Sequence, residues 1–128
     1  MTREQRMCTI TLRHLSGIQK GIQTGHCTDD YGIKYREEAD YDRWVRKDKT
    51  IYVLEAHSVE QLEQAYKDLK KLKVNVEKFK EPDLGNITTA IAFLLDEPVW
   101  NTKKYPDGET QKDLAIRRIK NQFQLASN

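Results

Sequence analysis

Apolar and polar positions alternate through Met7-Cys8-Thr9-Ile10-Thr11-Leu12, a β-branched run whose period of two predicts a strand. The period then changes. Ser16 is placed to cap a helix that runs to Cys27, with Ile18 and Ile22 four apart on one face. Gly17, Gly21 and Gly25 share that interval, although each is about 1 kcal/mol worse than alanine inside a helix. Such a stripe makes a smooth surface where another backbone or a ligand can come close, so packing or access, not propensity, accounts for this helix. Residues 28–48 are polar, and Tyr41, Trp44 and Val45 among them predict a short helix around Tyr41 to Arg46 that lays an aromatic face on the body. Thr50 to Leu54 is near-continuously apolar, as in a strand covered on both faces. Ser58, with Gln61 three residues on, opens the clearest helix as a capping box. Leu62, Ala65, Tyr66, Leu69 and Leu72 recur there at helical spacing, with Lys67, Lys70 and Lys71 outside. Val74 to Phe79 alternates again, Glu81 to Asn86 makes a turn, and Ile87 to Leu95 is a second apolar run.

This order of elements predicts an α/β fold in three layers: a four-stranded mixed sheet with helices on both faces, right-handed crossovers and an antiparallel last pair. Residues 1–96 form that domain. Beyond Asp96, Pro98, Pro106 and Gly108 punctuate a linker, and Asp113 to Gln124 predicts a C-terminal helix carrying Leu114, Ile116, Ile119 and Phe123. The extension over 97–128 is expected either to pack back on the domain or to hold a protein partner.

Composition changes this picture little. Of the 128 residues, 38% are hydrophobic and 33% charged, an ordinary balance for one domain with a wet surface. No apolar run reaches the roughly 18 residues of a membrane span, and MTREQRMCTI lacks the apolar region of a secretory signal. A cytoplasmic protein with no membrane partner is the expectation. With 22 basic and 20 acidic side chains the net charge is only +2, which excludes wholesale attraction to nucleic acid but leaves room for a local basic patch. Cys8 and Cys27 are too few for a disulfide framework, and His14, His26 and His57 are scattered, so neither a metal site nor a cofactor is expected.

Candidate chemistry gathers in one region. In open sheets, ligands bind beyond the carboxyl ends of parallel strands. Lys20, Gln23 and His26 follow the first strand, while Asp83 lies in the turn before Thr88 and Thr89. Plain alternatives stand beside these: Lys20 as a solvated surface lysine, His26 as a helix cap, Asp83 as a turn residue, Thr88 and Thr89 as strand formers.

Two segments carry a resemblance. Leu15-Ser16-Gly17-Ile18-Gln19-Lys20-Gly21-Ile22-Gln23-Thr24-Gly25-His26-Cys27 and Phe79-Lys80-Glu81-Pro82-Asp83-Leu84-Gly85-Asn86-Ile87-Thr88-Thr89-Ala90-Ile91-Ala92 are similar to the glycine- and lysine-rich first helix and the acidic turn with last strand of the type II peptidyl-tRNA hydrolases. The resemblance covers roughly residues 7–96 and extends to small bacterial and phage proteins of that fold. It implies an esterase that cleaves the bond between peptide and tRNA, with Asp83, His26, Thr89 and Lys20 as catalytic residues and Gln19, Gln23 and Thr88 against the substrate. It also implies a homodimer. An ungapped alignment of Gln23 and His26 puts Gln19, not Lys20, at the family's lysine. One position is about 100 degrees of helical rotation, so Lys20 is expected to point elsewhere in a regular helix. The alternative is a non-catalytic module on the same fold that holds tRNA, a nucleotide or a protein, with a phage accessory role as one form of it. Arg117 and Arg118 would then touch a phosphate backbone.

Overall fold

Every residue from Met7 to Leu12 of β1 (Arg6–Leu12) is buried, which is possible only for a strand in the middle of a sheet with both faces covered. The computed structural model describes residues 3–128 and places β1 there. β2 (Ile51–Ala56) lies parallel to it on one side. On the other side come β4 (Ile87–Leu95) and then β3 (Val76–Glu81), each antiparallel to its neighbour. A fifth strand, β5 (Gln124–Leu125), runs antiparallel to the outer edge of β2, so the order is β3-β4-β1-β2-β5. The sheet is therefore five-stranded and mixed where four strands were expected. β5 is too short to carry a period of two, and nothing local marks it as a strand.

Helices cover both faces. α1 (Gly17–Tyr35) packs on one, where Cys27 and Tyr31 meet Met7, Ala90, Ala92 and Leu94. α3 (Val59–Lys71) and α5 (Gln111–Lys120) cover the other, where Leu62, Ala65, Leu69, Ile116 and Ile119 join Cys8, Ile10, Leu12, Ile91, Phe93 and Leu95. Both expected caps are present, Ser16 accepting from the Gln19 amide and Ser58 from the Gln61 amide, each at 3.1 Å. The expected capping box is not closed, since Gln61 Oε1 accepts from the His57 amide at 2.7 Å and not from that of Ser58. The short aromatic helix is α2 (Ala39–Arg43), which runs on into a single π-helical turn over Trp44–Asp48. Trp44 is buried there, with its indole N–H donating to the Thr50 carbonyl at 2.8 Å. α4 (Glu97–Trp100) is one turn, capped by Asp96. Among the described residues no helix is long and apolar enough to cross a membrane.

Two expectations change. Ile18 and Ile22 do not face the core; they are 79% and 42% exposed, and α1 turns Lys20, Gln23, Thr24, Cys27 and Tyr31 inward instead. The helix also continues eight residues past Cys27, because Tyr31 keeps the same face buried for two more turns. The region after residue 96 packs back on the domain through α5 and the buried Phe123.

Arg117 is part of that packing and not a phosphate contact. Its guanidinium donates to the carbonyls of Pro98 (2.6 Å), Pro106 (2.8 Å), Tyr105 (2.8 Å) and Val99 (3.1 Å), tying the loop before α5 to the helix. Arg117→Ala is expected to destabilise the fold by about 3 kcal/mol, since several charge-assisted bonds go at once and the carbonyls are left to water. A lysine supplies one point charge in place of the planar fork and should recover less than half of the loss in urea unfolding.

Candidate functional site

The carboxyl ends of the parallel pair β1 and β2 lie under the first turns of α1, and a line of buried polar side chains fills the space. Lys20 and Glu55 are 4% and 5% exposed, with Lys20 Nζ 3.5 Å from Glu55 Oε1. Lys20 faces inward despite its one-position offset from the resemblance. A three-residue step is about 300 degrees, so Lys20 lies within about 60 degrees of Gln23 and toward β2, where Glu55 attracts it. Gln19, which the resemblance put in the lysine's place, is exposed, and its side chain accepts from Gln23 Nε2 at 3.2 Å.

A second set of hydrogen bonds, with no bond to the Lys20–Glu55 pair among the described residues, crosses the sheet from Thr11, which lies opposite Glu55. Gln23 Nε2 donates to Glu81 Oε1 at 2.9 Å, Thr89 Oγ1 donates to Gln23 Oε1 at 2.5 Å, and Thr11 Oγ1 donates to the Thr89 carbonyl at 2.7 Å. The register explains why Thr89 reaches α1. Phe79 pairs with Ala90 but Lys80 with Thr88, so Thr89 is the extra residue of a β-bulge. The bulge inverts the alternation there: Thr89 faces α1 with Ala90, and Thr88 faces α3. Thr88 is thus separated from the site and donates to Glu63, which also pairs with Lys78 at 3.1 Å. Burial alone would raise the Glu63 carboxyl, but the hydrogen bonds from Thr88 and Lys78 outweigh it and hold it below the usual carboxylate range.

The remaining expected residues stand apart from Lys20. His26 is exposed, its ring stacked on Phe79 at 4.8 Å between centroids. Asp83 is exposed on the 3-10 turn Pro82–Leu84 and makes no hydrogen bond or ion pair among the described residues. Arg118 is exposed on α5, on the opposite face of the sheet from α1. Among the described residues no group of three histidines, cysteines, aspartates or glutamates converges as metal ligands.

Two groups absent from the sequence reading complete the site. Glu55 is one. An acidic residue closing an apolar strand was the available signal, because a carboxylate at a buried position requires a cation. The other is the chain itself at residues 126–128. Ser127 O accepts from Lys20 Nζ at 2.5 Å, and Ser127 N donates to Glu55 Oε1 at 2.9 Å. Asn128 lies on Gly17, where a Cβ would come within 2.9 Å of its Oδ1. The first glycine of the stripe therefore admits the Asn128 side-chain oxygen, not a close backbone, while Gly21 and Gly25 face open space.

The cysteines take no part. Burial pushes the Cys8 thiol up to about 12 and the Cys27 thiol higher still. Both are expected to stay unreactive to a thiol-disulfide reagent at pH 8 until the protein unfolds. Stoichiometric reaction of the native chain would contradict their burial.

No family model matches this chain, and no curated protein does. Among solved structures, that of a protein of unknown function, Atu0240 from Agrobacterium tumefaciens str. C58, is similar at a TM-score of 0.60 and 10% identity. The likeness covers 97% of this chain and 98% of that one, so it runs through the region after residue 96. At this identity it shows the α/β fold alone.

Proposed function

We propose that this chain is a cytoplasmic hydrolase of the ester between peptide and tRNA, built on the type II peptidyl-tRNA hydrolase fold. One observation carries the reading: a buried ammonium, Lys20, donates at 2.5 Å to a backbone carbonyl beside a buried carboxylate, Glu55. An ester carbonyl in that place meets a donor aimed at the oxygen where negative charge develops during attack, which is where such a donor speeds acyl transfer most. Lys20 stabilises the oxyanion, and Glu55 takes the proton of the attacking water and returns it to the ribose oxygen as the ester C–O bond breaks, releasing peptide and tRNA. Thr89 is engaged as a donor to Gln23 and so braces α1 instead of serving the oxyanion. The peptide then lies toward β2 and the terminal adenosine toward β3, where the exposed ring of His26 on Phe79 offers a face for base stacking.

A non-catalytic peptide-holding module is the second reading, favoured by the isolation of Asp83 and His26 from Lys20. Single-turnover cleavage of a labelled peptidyl-tRNA, with protein in excess, separates the two. The hydrolase releases peptide. Intact ester after incubation with folded protein, both wild type and Ala126→Pro, which withdraws the Ala126 N–H from the Val53 carbonyl, leaves only the module.

A further inference from the structure

We infer that the outer edge of β2, ending at Lys20 and Glu55, is a binding site for extended polypeptide, and that residues 124–128 occupy it in cis. This deepens the hydrolase proposal and rests on it for the role of Lys20. The contacts that seat the segment are made by its peptide units. Leu125 and Gln124 pair with Leu54 and Glu55, and the Ala126 amide donates to the Val53 carbonyl at 2.9 Å. The chain then hooks over the edge, where Glu55 reads the Ser127 N–H and Lys20 reads its carbonyl. Side chains add little: Leu125 is 71% exposed, and Gln124, Ser127 and Asn128 are exposed as well. A site that recognises one amide through two buried charges and a strand edge accepts polypeptide of varied sequence.

The segment is also a minimal occupant. A two-residue strand falls well short of the about five or six residues of an ordinary one. The edge continues beyond it: Ile51 is 48% exposed and, with Val53, Gly21, Thr24, Gly25, Thr28 and Asp29, lines a groove between β2 and α1. The open space at Gly21 and Gly25 leaves room there for the side chains of a longer strand. Covalent attachment gives residues 124–128 an effective concentration of order millimolar, so a peptide in trans enters only when they are loosened.

The test uses the full chain with Ala126→Pro, and as probe a fluorescein-labelled peptide of residues 121–128, followed by anisotropy. The variant is expected to bind the probe at least tenfold more tightly than wild type, and adding Lys20→Met should remove at least tenfold of that affinity. Equal affinity for variant and wild type, or no binding by a variant that still melts cooperatively, overturns the proposal. If proline at 126 prevents folding, Ser127→Pro, which removes only the amide bonded to Glu55, takes its place. Hydrogen exchange gives a second readout. Lys20→Met alone should speed exchange of the Ser127 amide at least tenfold while β1 and β4 stay protected, and unchanged protection at Ser127 overturns the proposal. Probe binding without ester cleavage removes the hydrolase and keeps this site; cleavage without probe binding does the reverse.

Discussion

Glu55→Ala is expected to destabilise the protein by about 3–5 kcal/mol, the usual consequence of removing one partner of a buried ion pair. Lys20 is 4% exposed, and without Glu55 its ammonium keeps, among the described residues, the Ser127 carbonyl alone as a partner. Arg13 approaches Glu55 at 3.8 Å from an exposed position and does not replace it, since both cations need the same carboxylate. Lys20→Met should do less harm, because the orphaned Glu55 still meets Arg13 and the Ser127 amide. The double variant Lys20→Met with Glu55→Leu should lie within about 1–2 kcal/mol of wild type, as apolar side chains of similar volume often replace a buried pair at little loss. Urea unfolding of the four proteins measures the coupling directly. Additive losses would mean that the two charges do not depend on each other.

The second large effect is catalytic. Lys20→Met is expected to slow single-turnover cleavage of peptidyl-tRNA by 100- to 1,000-fold, the loss typical of one oxyanion donor. The stability of the double variant matters here, because Lys20→Met with Glu55→Leu should be folded yet at least as inactive as the single variant, having lost the general base as well. Asp83→Asn provides the contrast. From its exposed turn it should slow cleavage less than tenfold. A loss at Asp83 equal to that at Lys20 would show that the turn closes on the site when substrate binds.

Much of the architecture was legible in local pattern. β4 runs from Ile87 to Leu95 as its apolar run predicts, and Ser16 and Ser58 cap the helices they precede. A strand's period and a helix cap are decided within a few residues, so sequence spacing reports them. The inner face of α1 was misread for a physical reason. Its isoleucines are exposed and its buried side is largely polar, so hydrophobic periodicity points to the wrong face. Of the candidate site, Gln23 and Thr89 are bonded to each other, Lys20 is paired with Glu55, Thr88 is turned to the opposite face, and Arg117 is spent on the loop before α5.

By itself the sequence determined the α/β class and the order of the elements up to residue 95. Those follow from periodicity, capping and strand order, each a short-range property of the chain. The tertiary structure alone decided three things: the bulge that aims Thr89 at Gln23, the burial of Lys20 against Glu55, and the seat of residues 124–128 on the edge of β2. Each joins residues far apart in the chain. A buried charge selects its partner by proximity and desolvation in the folded state, and no local pattern records that choice.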